Sequence, residues 1–415
     1  MILLLCVVLT SRSYAADAQP GAEQKPAEPA EKPLGPGWLS LECCVGPVDN
    51  AIANGKGALE KAIGISISGY LDTSYTWSSN HPKNPANISG RYFDKDYNKV
   101  EFNDFHLALD LPEKRFGIGY HVSGDFGRTG ELLREATLWN SHFLKQPSAE
   151  LRESYITTTI PVGEGIQFKG GLFVTPLGME ILPAPGNYND EISRSFAFNL
   201  GIPLRHLGGL FTYPVLKTLS VSGGLVTGWD DPHDNNNSPS FLGGVNYTPA
   251  DAFALASNIV IGPEQRAPTG RTRIAWSSVA TIKPMDPLTL YLEYTLGHED
   301  QAPTAFGNRN AWWNAVSGVA SWNWTERFNT AVRGEVFIDG QGARIFASGQ
   351  FPSFAPVHNA ALGEITMSGT YKFTKMFLGR AEFRQDWANR GIYQRGTSKA
   401  DSNQTTLAVQ LLYTF

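Results

Sequence analysis

The chain has 415 residues, a formal net charge of −5, 42 glycines and 12% aromatic residues. The acidic balance excludes a nucleic-acid footprint. No run of about 18 apolar residues follows the N-terminus, which excludes a membrane-crossing helix but not a β-barrel, whose strands show lipid only every second residue.

The chain opens "MILLLCVVLTSRSYAADAQP". Its short apolar run and small residues before Ala16 read as a signal peptide, residues 1–15, cleaved after Ala15. No positively charged segment precedes the run, which points to a truncated start. Cys6 leaves with the leader. Cys43 and Cys44 are adjacent and poorly placed to bridge each other. From residue 45 onward there is no cysteine, hence no disulfide framework, thiolate zinc site or thiol nucleophile.

Residues 16–62 form one segment. Its first part, 16–37, is Pro, Ala, Glu and Lys and reads as an extended linker. Residues 46–62 have the composition of a short helix that glycines weaken. From Ile63 to Phe415 the period becomes two. "ISISGYLDTSYTW" separates Ile63, Ile65, Ile67, Leu71, Tyr75 and Trp77 from Ser66, Ser68, Asp72 and Ser74. "IQFKGGLFV", "LTLYLEYTL", "GEITMSGTYKF", "FLGRAEFRQDW" and "TLAVQLLYTF" alternate in the same way. Such segments of about ten residues are half-buried strands.

Tight turns at 111–115, 161–165, 214–218, 248–251, 283–287, 323–327 and 373–375 alternate with longer polar loops at 78–97, 127–147, 177–203, 230–238, 264–270, 299–309, 340–359 and 388–403. This spacing predicts about 16 strands. A propeller would press both strand faces against neighbouring blades. It would leave the mid-strand charges Lys169, Arg273, Glu293, Arg333, Glu335, Arg380 and Glu382 unsolvated. A closed barrel with a wet lumen solvates them. Aromatics gather at strand ends, as an interfacial girdle requires: Trp77, Phe116, Phe168, Tyr213, Trp229, Tyr247, Trp312, Trp322, Phe328, Tyr371, Phe373, Phe377, Trp387 and Tyr413. The fold class is all-β, a transmembrane antiparallel barrel. An even strand number puts both termini on one side, with short turns periplasmic and long loops outside. Sixteen strands imply a lumen wide enough for water.

Loop 177–203 is too apolar to sit in solvent, with Met179, Ile181, Leu182, Phe196, Phe198 and Leu200. It is expected to fold into the lumen as a constriction carrying Glu180, Asp190, Glu191 and Arg194. Arg273, Arg333, Arg380 and Arg384 lie on the facing wall. Together they would set a transverse field; the alternative is that these charges pair and stiffen the wall. Lys169, Arg273, Glu293, Arg333, Glu335, Arg380, Glu382 and Arg384 are the expected pore-lining residues. "GWDDPHDNNNS" gathers Asp230, Asp231, His233 and Asp234, but its spacing matches no EF-hand, so a solvated loop is expected and no metal. His106 and His121 share the lumen parity beside Asp104 and Asp125. A dyad is conceivable there, but a polar lumen pair is the expected outcome. GxSxG and HExxH are absent, and no cofactor or catalytic residue is expected.

"GYLDTSYTW", "NDFHLALD", "GLFVTPLGME", "SRSFAFNLGIPLRHLGGLFTYPV", "SVSGGLVTGWDD", "SFLGGVNYTPAD" and "IVIGPEQ" resemble the OmpL-like β-barrel porin family of bacterial outer membranes. The similarity covers roughly residues 66–415. It is specific for architecture and weak for substrate. It implies a diffusion pore for small hydrophilic solutes and ions. The alternative is an outer-membrane barrel with a plugged lumen, acting as an enzyme or adhesion surface. The expected partners are outer-membrane lipid, the barrel-assembly machinery and the solutes. Tyr413 and Phe415, closing an alternating terminal strand, resemble the signal that machinery reads. A homotrimer is compatible, since trimers are common among 16-strand porins, although no decisive interface patch is visible.

Overall fold

The computed structural model describes residues 42–83, 87–113, 117–136, 148–183, 189–265, 270–353 and 356–415. The leader, the 16–37 linker and Phe116 lie outside these residues. The described chain begins with helix α1, Glu42–Ile63. It starts four residues before the expected 46 and runs through Ile63, so the alternating pattern is realised as strand from Ser66.

The strands are β1 (Ser66–Ser78), β2 (Val100–Leu111), β3 (Gly119–Phe126), β4 (Ala149–Ile160), β5 (Ile166–Val174), β6 (Arg205–Leu216), β7 (Leu219–Val226) and β8 (Ser240–Ala250). They continue with β9 (Phe253–Pro263), β10 (Thr272–Met285), β11 (Leu288–Ala302), β12 (Arg309–Asn323), β13 (Phe328–Asp339), β14 (Ala360–Lys372) and β15 (Phe377–Ala388). Two short strands, β16 (Tyr393–Arg395) and β17 (Lys399–Asp401), form a hairpin in the last long loop, and β18 (Asn403–Thr414) ends the chain. Helices α2 (Arg128–Ala136) and α3 (Ala343–Ser348) also sit in long loops.

All strands except β16 and β17 join in one closed antiparallel barrel of sequential neighbours. Closure comes from β18, which pairs with β15 on one side and β1 on the other, from Tyr70↔Thr414 to Ser78↔Thr406. A barrel has no edge, so no backbone N–H or C=O is left facing lipid, where each would cost several kcal/mol.

The register puts one parity outside. Leu71, Thr73, Tyr75 and Trp77 of β1 pair with Tyr413, Leu411, Val409 and Leu407 of β18 on the outer face. Leu292, Val316, Val336, Val409 and Leu411 are exposed apolar side chains of that face. In water such a surface would be an aggregation hazard; in a bilayer it is the solvated surface. Most of the expected girdle positions fall on this face. Trp229 is the correction: it lies in the β7–β8 loop, buried, edge-on to Trp313 at 6.1 Å. Its aromatic character reflects packing inside the barrel.

The terminal residue is built into the seam. Phe415 exchanges backbone hydrogen bonds with Gly69, N–H to O at 2.9 and 3.0 Å. Its ring stacks on Phe105 at 6.3 Å. A Cβ on Gly69 would stand 2.4 Å from that ring, so the aromatic terminus needs a glycine opposite it. Removing Phe415 should lower the yield of folded, heat-modifiable barrel in refolding assays more than it changes conductance of the barrels that do form. Normal folding kinetics of the shortened chain would contradict this.

Candidate functional site: a strap across the lumen

The β5–β6 connection enters the barrel. Near its start the Pro176 carbonyl accepts from Asn258 Nδ2 on β9 at 2.8 Å. Gly178 and Met179 N–H donate to Ser277 Oγ on β10 and Glu293 Oε2 on β11, at 3.2 and 3.1 Å. The segment then reaches the far wall, where the Pro183 carbonyl accepts from Tyr70 Oη on β1 at 3.3 Å and from Arg152 on β4. From residue 189 it returns along β15, β14, β13 and β12.

The wall carboxylates hold this returning strand by its backbone. Glu382 accepts from Ile192 N–H at 2.5 Å and from Ser193 N–H at 3.1 Å. Glu335 accepts from Phe196 and Ala197 N–H at 2.5 and 2.7 Å. Trp313 Nε1 donates to the Gly201 carbonyl at 3.0 Å. An irregular segment inside a membrane barrel has no sheet partner. Its amides therefore need such acceptors, and a charged acceptor makes the stronger bond.

Arg333 sits at the centre. It donates to Glu364 Oε1 on β14 at 2.6 Å, to Glu180 Oε1 of the strap at 2.7 Å and to the Ser193 carbonyl at 2.9 Å. Glu180 Oε2 in turn accepts from Ser195 N–H at 2.7 Å. Arg384 binds Asp386 at 2.6 Å and the Arg194 carbonyl at 2.6 Å. Arg380 Nη1 reaches the Glu191 carbonyl at 3.4 Å, and Ser368 Oγ donates to the Asp190 carbonyl at 2.9 Å. Arg194 donates to Ile192 O at 2.8 Å within the strap and lies 5.9 Å from the Phe198 ring centroid.

Every expected pore-lining residue therefore points inward, but they separate into two environments. Glu293, Arg333, Glu335, Arg380, Glu382 and Arg384 are buried beneath the strap. Arg273 is largely covered and paired with Glu299 at 2.9 Å. Lys169 is half-exposed, its ammonium 4.5 Å from the Tyr155 ring centroid. It belongs to the half-buried polar part of the inner wall, with Asp110, His121, Glu153, Thr157, Thr212, Ser222 and Asn246 on β2 to β8, toward the tight-turn end. His121 bridges Asp110 at 2.6 Å and Glu153 at 3.5 Å.

Toward the long-loop end the interior is apolar and packed. Tyr155, Phe173, Leu177, Phe196, Phe198, Leu200, Ile202, Leu242 and Trp313 form one buried cluster with Ile345, Val357, Ile392 and Tyr393 from other loops. The expectation of a lumen wet all round gives way to a half-buried polar vestibule below and a plug above. The physical reason is the strap's own apolar side chains, which leave water by meeting one another across the lumen. The first long loop adds to the plug, which its sequence did not announce. Ile88 and Arg91 are fully buried, and Arg91 pairs with Asp386 of β15 at 2.9 Å. An arginine followed by two aromatics, Tyr92 and Phe93, in an otherwise polar loop was the available signal.

Asp104, His106 and Asp125 lie close enough to share a metal ion, but the guanidinium of Arg152 occupies the charge centre between them. It donates to Asp125 Oδ2 at 2.8 Å, to Asp104 Oδ2 at 3.3 Å and to Tyr70 Oη at 2.9 Å. His106 Nδ1 stands 2.8 Å from Asp125 and its ring stacks on Tyr70 at 5.0 Å. This network sets both carboxylates against one guanidinium and anchors the strap through Pro183. In the β7–β8 loop, Asp230 accepts from Leu204 and Arg205 N–H at 2.7 and 2.9 Å, and Asp234 accepts from Asn236 and Ser238 N–H at 3.2 and 2.9 Å. These carboxylates hold loop backbone.

A family model described as "Putative beta-barrel porin-2, OmpL-like" matches residues 64–415. No curated protein sequence matches significantly. Among solved structures, the outer membrane channel DcaP of Acinetobacter baumannii superposes with a TM-score of 0.55 at 12% identity, over 85% of this chain and 97% of that one. An anion-selective porin from Comamonas acidovorans gives 0.55 at 11% identity, over 85% and 99%. The trimer form of OmpT from Vibrio cholerae gives 0.54 at 11%, over 85% and 99%. At these identities the likeness is one of fold.

Proposed function

Because the chain belongs to the OmpL-like β-barrel porin family and is thereby an outer-membrane porin, we propose that it passes small hydrophilic solutes and ions through a lumen whose flux the strap limits. The observation that carries this reading is the division of the inner wall. Polar residues of β2 to β8 are only half-buried at the turn end, while the strap covers β10 to β15. Solutes enter along the polar wall, and the plug of residues 177–183 and 189–203 with the neighbouring loops sets the size limit. Charged side chains on such a wall act by screening and steering. Lys169, Glu153, His121 and Asp110 hold that position. Arg333, Arg380 and Arg384 position the strap, and Glu180, Asp190, Glu191 and Arg194 belong to the strap itself.

The turn end is the periplasmic side in this reading and carries both termini, and Tyr413 and Phe415 are the residues offered to the assembly machinery. A homotrimer has its precedent in the trimer form of OmpT. The plugged-barrel alternative, an enzyme or adhesion surface, is favoured by one observation, the apolar cluster across the loop half. Liposome swelling separates the two. Proteoliposomes should swell in small neutral sugars and stay still in larger oligosaccharides. Absence of swelling in every solute, with the barrel shown to be folded, would leave the plugged barrel.

A further inference from the structure

Helix α1 does not hang free below the barrel. The Tyr413 hydroxyl donates to Asp49 Oδ1 at 2.7 Å, and Ile67 N–H donates to Glu60 Oε1 at 2.7 Å. Tyr413 pairs with Leu71 and Phe377 on the outer face of the barrel. Ile67 has the same parity, at the turn end of β1. The helix is thus pinned at two points roughly 16 Å apart along its axis. The first is on β18 and the second on β1, four residues nearer the turn end than the Leu71 that pairs with Tyr413, so the helix is held against the closing seam at the turn end of the barrel.

At 100° per residue the helix has three faces. Asp49, Lys56 and Glu60 form the docked face; Asp49 is buried, and Lys56 and Glu60 are half-buried. On one flank lie Asn50, Asn54, Gly57 and Lys61. On the other, within an arc of roughly 60°, lie Val45, Val48, Ile52, Leu59 and Ile63. Three of these apolar residues are about half exposed: Val48 at 52%, Leu59 at 49% and Ile63 at 48%. Among the described residues nothing covers them. The outer face beside the docking point is itself apolar and exposed, at Leu71 and Leu411.

We infer that α1 is an interfacial helix lying in the headgroup region of the leaflet at the turn end, its apolar flank immersed in phospholipid. The flank continues the lipid-facing belt of the barrel, and the opposite flank faces the aqueous side. A helix with one apolar and one polar flank, held at the turn end of the barrel, satisfies both solvents only in that orientation. The inference rests on the membrane-barrel reading and adds to it a lipid contact made outside the strands.

The test uses the full-length barrel in nanodiscs containing nitroxide-labelled phospholipid. A bimane label is placed at position 59, 48 or 54 through Leu59→Cys, Val48→Cys or Asn54→Cys in a Cys43→Ser, Cys44→Ser background, with Val409→Cys marking the belt. Labels at 59 and 48 should lose fluorescence to the nitroxide nearly as much as the label at 409, and the label at 54 should keep it. Quenching at 409 but none at 59 and 48 would overturn the helix assignment and leave the barrel reading intact. Disulfide cross-linking between two copies through an unlabelled cysteine at position 59 would overturn it in favour of a second copy of this chain. No quenching at 409 would overturn the membrane reading and this inference with it.

Discussion

Replacing Arg333 with leucine should destabilise the barrel by about 3–5 kcal/mol, the cost of leaving buried carboxylates without their cation. Arg333 is fully buried and ties three elements together: Glu364 of β14, Glu180 of the strap and the strap backbone at Ser193. Glu191 Oε2 stands at 3.9 Å from the same guanidinium. Without it, Glu180 loses its cation, and Glu364, beside Glu335 and Glu382 in a low-dielectric space, keeps only Arg384 at 3.7 Å. Each must take up a proton or draw in water, and the strap loses its link to β13. Urea unfolding followed by gel mobility reads the change. Arg395→Ala is the control: its ion pair with Asp401 at 2.8 Å is exposed and contributes little. Equal stability of the two variants would show that the buried network is not what holds the strap.

Neutralising the two clamps, Glu335→Gln with Glu382→Gln, should release the strap while the barrel stays folded. Each carboxylate accepts two neighbouring backbone N–H groups. At Glu335 the two amides use different oxygens, so a glutamine turns an N–H toward one of them; at Glu382 Oε2 accepts from both amides, so a glutamine there removes the charge that strengthens both bonds. Losing charge-assisted acceptors at buried donors costs about 1–3 kcal/mol per site. That cost falls on the strap, because the ladders of β13 and β15 need neither side chain. The double variant should admit oligosaccharides that the parent excludes in the swelling assay, and limited proteolysis should cut between residues 189 and 203. An unchanged size limit together with an uncut strap would contradict the clamp assignment.

Much of this was readable in the chain because lipid imposes a strict rule. Each strand must alternate, and a closed ladder makes any break costly, so Leu407, Val409 and Leu411 declare their face directly. The strap was legible for the opposite reason: Met179, Phe196, Phe198 and Leu200 are too apolar for an external loop. What could not be read was which charges the strap would cover. Lys169 and Arg333 look alike in an alternating strand. Only the fold shows one on the half-buried polar wall and the other beneath the strap. The insertion of Arg91 stayed hidden because its partner, Asp386, lies almost three hundred positions away. Trp229 was misplaced because an aromatic near a strand end serves a girdle and a plug equally well.

An aqueous pore throttled by its own strap conducts in small steps that grow when the strap is released. Single-channel recording of the purified protein in planar bilayers tests this most directly. The native chain should give discrete, small conductance steps, and the Glu335→Gln, Glu382→Gln chain should give larger ones from the same folded barrel. Bilayers that stay silent with both proteins, at protein levels where insertion is verified, would contradict it.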